Sequence, residues 1–115
     1  MYQQYNQGFI EVITGCMFAG KSEELIRRIK TLEYAHKRIA IFKPAIDKRY
    51  SDAYIVSHNG KRVKSFVISK AEEIYAYMQE DYDVVAIDEV QFFDEEIVKI
   101  CNELANQGKR VIVAG

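Results

Sequence analysis

Apolar positions along this chain follow two rhythms, and the switches between them mark its elements. "FIEVIT" (9–14) is β-branched and aromatic and reads as a first strand. In "KSEELIRRIKTLEYAHK" (21–37) the spacing turns helical: Leu25, Ile29 and Leu32 fall on one face, and Glu24 and Arg28 stand four apart. "RIAIFK" (38–43) is a second strand, closed by Pro44. "AYIVSHNGKRVKSFVI" (53–68) holds two β-rich runs around Asn59-Gly60, a strong hairpin signal. Ser69 with Glu72 reads as a capping box opening the helix "KAEEIYAYMQE" (70–80). "DVVAID" (83–88) is a third buried strand, "DEEIVKICNELANQG" (94–108) a helix capped by Asp94 and ended by Gly108, and "KRVIVA" (109–114) a fourth strand.

Strands that alternate with helices predict a mostly parallel sheet, with right-handed crossovers and helices on both faces. The hairpin is an insertion on that plan. The pattern shows no internal repeat and no linker, so residues 1–115 read as one domain.

Composition changes this picture little. Sixteen basic residues stand against seventeen acidic ones, so bulk charge advertises no nucleic-acid or membrane surface. No apolar run reaches the roughly 18 residues of a membrane span, and the N-terminus lacks the regions of a secretory signal. Cys16 and Cys101 form no CxxC pair and suit a reducing cytosol. A cytoplasmic protein is expected. The apolar strand at the chain's end would ordinarily feed a further element, which points to a fragment of a longer protein.

The candidate chemistry begins at "GCMFAGKS" (15–22), a full match to G-x-x-x-x-G-K-[ST] between a predicted strand and a predicted helix. Gly15 and Gly20 let the backbone N–H groups of Cys16, Met17, Phe18 and Ala19 turn around a phosphate chain. The helix start adds its positive dipole end, Lys21 reaches the β and γ phosphates of ATP, and the Ser22 hydroxyl is placed to ligate Mg²⁺. Cys16 contributes its amide and need not contribute sulfur. A plain glycine-rich turn with an exposed lysine is the rival reading, and it explains neither Gly15 nor the lysine–serine order. The expected fold is therefore an α/β P-loop NTPase (RecA-like) of three layers, with a mostly parallel sheet and an inserted β-hairpin.

"VVAIDE" supplies the second side of a metal site. Apolar strand residues deliver Asp88 to a carboxyl end, where open α/β sheets keep their ligands, and there it would hold Mg²⁺. Glu89 reads as a general base or, blandly, as a solvated loop residue. Whether the nucleophile is water or a substrate hydroxyl stays open at this point.

Three stretches together resemble the cellular-type (type II) thymidine kinase family: "GCMFAGKS", "FKPAIDKRYS" (42–51) with its Asp-x-Arg-Tyr, and "AIDEVQFF" (86–93), with "SHNG" and the final "VIVAG" also fitting. The resemblance runs from about Gly8 to Gly115. It implies transfer of a phosphoryl group from ATP–Mg²⁺ to the 5′-hydroxyl of thymidine, with Glu89 as the base, and assembly as a homo-tetramer. By the same match Met17 lines the thymine site, Asp47 and Arg49 lie close to the phosphates, Phe92 walls the nucleoside pocket, and Val90 and Gln91 belong to the nucleotide-binding stretch that begins at Asp88. Each has a structural rival: Met17 as a loop residue over the core, Phe92 and Phe93 as core aromatics, Asp47 and Arg49 as a surface pair. His58 is expected to be an exposed hairpin residue without a catalytic role.

Members of the family continue into a small zinc-bearing lobe and a lasso-like loop over the base, which these residues do not contain. Zinc is thus expected only in that missing lobe, and weak or no kinase activity from these residues alone. Two other classes stay in view: a RecA-like ATPase or motor, in which water replaces the sugar hydroxyl, and a non-catalytic nucleotide-binding module.

Overall fold

The computed structural model describes residues 8–15, 20–45, 53–57, 60–78 and 81–115. Its principal sheet has five strands: β1 (Phe9–Ile13), β2 (Ile39–Pro44), β5 (Phe66–Ile68), β6 (Val84–Ile87) and β7 (Arg110–Ala114). They lie in the order β1-β7-β6-β2-β5 and every pairing is parallel. Between them run α1 (Lys21–Tyr34), the short α2 (Ile74–Tyr77) and α3 (Glu96–Asn106). The parallel α/β plan expected from the alternation of rhythms is the observed one.

The unbroken apolar runs of the central strands follow from their burial on two faces. In β6, Val84 and Ala86 face the layer of α1, while Val85 and Ile87 face the layer of α3. Strands β2 and β7 divide their side chains in the same way. On one side Leu25, Ile26, Ile29 and Leu32 of α1 pack on the sheet; on the other stand Ile97, Ile100, Cys101 and Leu104 of α3. The α1 stripe read from the sequence is the buried one, with Ile26 added. Burial pushes the Cys101 thiol up to about 11, so it packs as a small apolar group.

Helix α1 stops sooner than its pattern suggests, and both long helices end in the same way. After α1, the His36 N–H donates to the Glu33 carbonyl at 2.9 Å and the Lys37 N–H to that of Leu32 at 3.0 Å, with His36 left-handed at φ 65°. After α3, the Gly108 N–H donates to the Ala105 carbonyl and the Lys109 N–H to that of Leu104. Each is a Schellman closure, which turns the chain back toward the sheet as soon as the last buried leucine has been placed. Gly108 ends α3 as expected, at φ 92°.

Three local expectations need correction. The run 53–68 is a hairpin only in part. Strands β3 (Tyr54–Val56) and β4 (Arg62–Lys64) pair antiparallel as a separate two-stranded sheet, whereas β5 leaves it to join β2 in the principal sheet. The Ser65 N–H closes the hairpin on the Ala53 carbonyl at 2.6 Å, and Phe66 then packs its ring 5.5 Å from that of Phe42. The capping carboxylate before α2 is Glu73, not Glu72: it accepts from the Ser69 and Lys70 N–H groups at 3.1 and 2.8 Å. Burial of Ala71 and Ile74 sets the rotation of that turn, which is 3₁₀ over Ala71–Glu73 before it becomes α2. The N-cap of α3 is Glu95, not Asp94, and it makes no side-chain capping bond; Asp94 contributes its backbone carbonyl, which accepts from the Ile97 N–H at 3.1 Å. His58 and residues 79–80 lie outside the described residues.

Candidate active site

Strands β1, β2 and β6 end on the same side of the sheet, and the chemistry-bearing residues gather there. Thr14 and Gly15 follow β1, and Gly20 is the N-cap of α1, left-handed at φ 76° and ψ 27°. A side chain at this position would be strained by about 1–2 kcal/mol, so the glycine is required by the backbone that aims the helix start into the crevice. Lys21 and Ser22 are the first two residues of α1 and are both half-buried. The four loop residues between the glycines, Cys16, Met17, Phe18 and Ala19, lie outside the described residues, as do Asp47 and Arg49.

Asp88 follows β6 directly. Its N–H donates to the Phe42 carbonyl of β2 at 2.9 Å, and only 8% of the residue is exposed. Burial, and then the neighbouring charge of Glu89, raise its carboxyl from 3.8 to about 6, against a hydrogen bond from the Glu89 backbone and the charges of Lys43 and Lys21. The charge of Lys21 is thus felt at Asp88, on the side of the sheet where α1 starts.

Glu89 is held in the left-handed region, at φ 52° and ψ 46°. A non-glycine residue there stores on the order of 1 kcal/mol. The strain lets a 3₁₀ turn, Val90–Phe92, start directly from the strand end, with the Phe92 N–H on the Glu89 carbonyl at 3.0 Å. The Glu89 carboxylate accepts from the Gln91 side-chain amide at 2.9 Å, so Gln91 orients it. The same turn separates the two phenylalanines. Phe93 packs against the α3 core, whereas Phe92 is 55% exposed. The core reading therefore holds for Phe93 and not for Phe92. Gly115, at the end of β7, lies under this turn, where a Cβ would come within 2.9 Å of Val90 Cγ1.

A buried carboxylate raised by desolvation is stabilised by a cation, and the hydroxyl of Ser22 with the carboxylate of Asp88 is a hard-oxygen donor set that fits Mg²⁺. Among the described residues no three His, Cys, Asp or Glu form a protein-built metal cage. A magnesium ion here would complete its shell from phosphates and water, as that ion commonly does.

One residue of the site went unread in the sequence. Lys43, half-buried in β2, donates from Nζ to the Tyr54 carbonyl at 2.8 Å, and its charge acts on Asp88. Its signal was present in the strand's alternation: Ile39 and Ile41 face the α1 layer, and the next position on that face is a lysine.

A family model for thymidine kinase matches residues 8–115, all but the first seven residues. The chain belongs to the thymidine kinase family. The matched span of this thymidine kinase family domain contains the glycine loop, the Asp-x-Arg-Tyr segment and the acidic pair together. No helix among the described residues is long and apolar enough to cross a membrane.

Proposed function

We propose that the chain carries the phosphoryl-transfer site of an enzyme that moves the γ-phosphoryl of ATP to the 5′-hydroxyl of thymidine, giving dTMP and ADP. The reading is supported by the charge of Lys21, beside Ser22 at the start of α1, acting on Asp88, next to Glu89 at the end of β6, in a chain of the thymidine kinase family.

Gly15 to Ser22 wrap the phosphates with backbone N–H groups, and Lys21 neutralises charge on the transferring group. Ser22 and Asp88 would hold Mg²⁺, which would supply neutralisation of phosphate charge. Glu89, oriented by Gln91, takes the proton from the 5′-hydroxyl as the new O–P bond forms and the bond to the ADP oxygen breaks. By the family resemblance Asp47 and Arg49 serve the phosphates, and Val90 and Gln91 belong to the nucleotide-binding stretch. By the same resemblance Met17 serves the thymine and Phe92, whose ring is exposed, the nucleoside. The enzyme acts in the cytoplasm as a homo-tetramer, binds no nucleic acid or membrane, and carries zinc only in the family's C-terminal lobe.

The test is label transfer from γ-labelled ATP with Mg²⁺ and each nucleoside in turn. Label on thymidine is expected. Label found only as free phosphate, whichever nucleoside is present, would replace the kinase by an ATPase, and nucleotide binding with no release of label by a binding module.

A further inference from the structure

We propose that Lys43 is a positioning residue of the phosphoryl-transfer site: its ammonium ties the root of the β3–β4 hairpin, at the Tyr54 carbonyl, to the end of β2 beside Asp88. The proposal deepens the kinase reading and rests on it for its consequence in turnover.

Three observations converge on this side chain. The register pairs Phe42 with Ile87, so the next residues along the two chains, Lys43 still within β2 and Asp88 just past β6, stand side by side. Lys43 shares the face of Ile39 and Ile41, the face that α1 and the hairpin cover. A lysine with no task there would run its stem over the apolar layer and carry its ammonium out to water. Its Nζ instead donates to the Tyr54 backbone at 2.8 Å. A charge-assisted bond of that length, half-buried, holds a specific partner rather than a solvated surface.

The hairpin so held is itself a brace. Ile55 and Val63 are 2% and 5% exposed and pack in one cluster with Leu25, Ile26 and Ile29 of α1. Helix α1 presents Lys21 and Ser22 at its first turn, so a hairpin loosened at its root removes support from the helix that aims them. Lys43 therefore acts through Tyr54 and α1, not through the reacting atoms. A small displacement of phosphate-binding groups is costly in rate even when binding survives.

The experiment compares Lys43→Met, which keeps the stem and loses the donor, with Lys43→Arg, which keeps a cationic donor. Backbone amide exchange is read at Ser57 and Ser65, whose N–H groups close the hairpin, and in β6 and β7 as a control, with and without Mg·ADP. In Lys43→Met the hairpin amides should exchange about tenfold faster or more, while β6 and β7 stay within about twofold. Turnover should fall by roughly tenfold or more with the KM for ATP within about threefold, and Lys43→Arg should restore most of both. Unchanged hairpin exchange in Lys43→Met would overturn the proposal, even if turnover fell. Loss of protection throughout the sheet, or equal loss in both variants, would overturn it as well. The exchange measurement needs no turnover, so it separates failure of the tether from failure of the kinase reading.

Discussion

Two adjacent carboxylates at one strand end repel each other, and Asp88 and Glu89 resolve this by occupying different environments. Asp88 is buried and would be held by a cation; Glu89 is half-buried, backbone-strained and bonded to Gln91. Separate roles follow. Glu89→Gln should lower kcat by about two to four orders of magnitude and leave Mg·ADP affinity nearly intact. Single-turnover transfer beside an ADP titration checks this, and equal loss of both would remove Glu89 from the role of base. Asp88 gives a prediction in pH. Its folded carboxyl holds a proton more tightly than the unfolded one, with a value of about 6 against 3.8. Ionisation is therefore penalised in the fold, and the wild type loses stability as pH rises from about 4 to about 6, by on the order of 3 kcal/mol. Asp88→Asn should then be more stable than the wild type at pH 7.5 without nucleotide, with the advantage shrinking through pH 6 and nearly gone by pH 4. Urea unfolding at those three pH values measures it, and an unchanging gap would mean that desolvation of Asp88 is not its source.

At the scale of elements, what could be read in the sequence was whatever a segment decides by itself. Periodicity placed every strand of the principal sheet except β5, because burial on two faces or one leaves its mark within the segment. The exchange of partners between Ser65 and Phe66 left no such mark. One continuous β-rich run serves two sheets, and its division depends on the rings of Phe42 and Tyr77, which come from elsewhere. Glu73 displaced Glu72 for a similar reason, since the burial of Ala71 and Ile74 fixed the turn. The site divides along the same line. Asp88 was legible as the end of an apolar strand, whereas Lys43 took its meaning from a carbonyl eleven residues away. Phe92 and Phe93 are indistinguishable until the 3₁₀ turn gives each a direction. The legible signals make their own prediction. Gly108→Ala keeps the composition of the α3 end but forces a side chain onto φ 92°, and should cost about 1 kcal/mol in urea unfolding. No loss would mean that the Schellman closure relaxes into another turn.

At the scale of the molecule, the sheet divides the core of the described residues into two clusters, one on each face. The α1 cluster supports Lys21 and Ser22; the α3 cluster supports the turn that carries Glu89 and Gln91. The two halves of the site are thus held from opposite faces, and β6, which sends Val84 and Ala86 one way and Val85 and Ile87 the other, is the rigid member that sets their separation. If the sheet transmits little strain between its faces, small losses of packing on the two sides should be independent. Ile29→Val and Ile100→Val, fully buried on opposite faces, should each cost about 1 kcal/mol. The double variant should lose their sum to within about 0.5 kcal/mol, since the two sites share no contact. Denaturant unfolding of the four proteins closes the cycle. A larger coupling would mean that β6 moves when either layer is thinned, and then the distance between Lys21 and Glu89 would be adjustable from within the core.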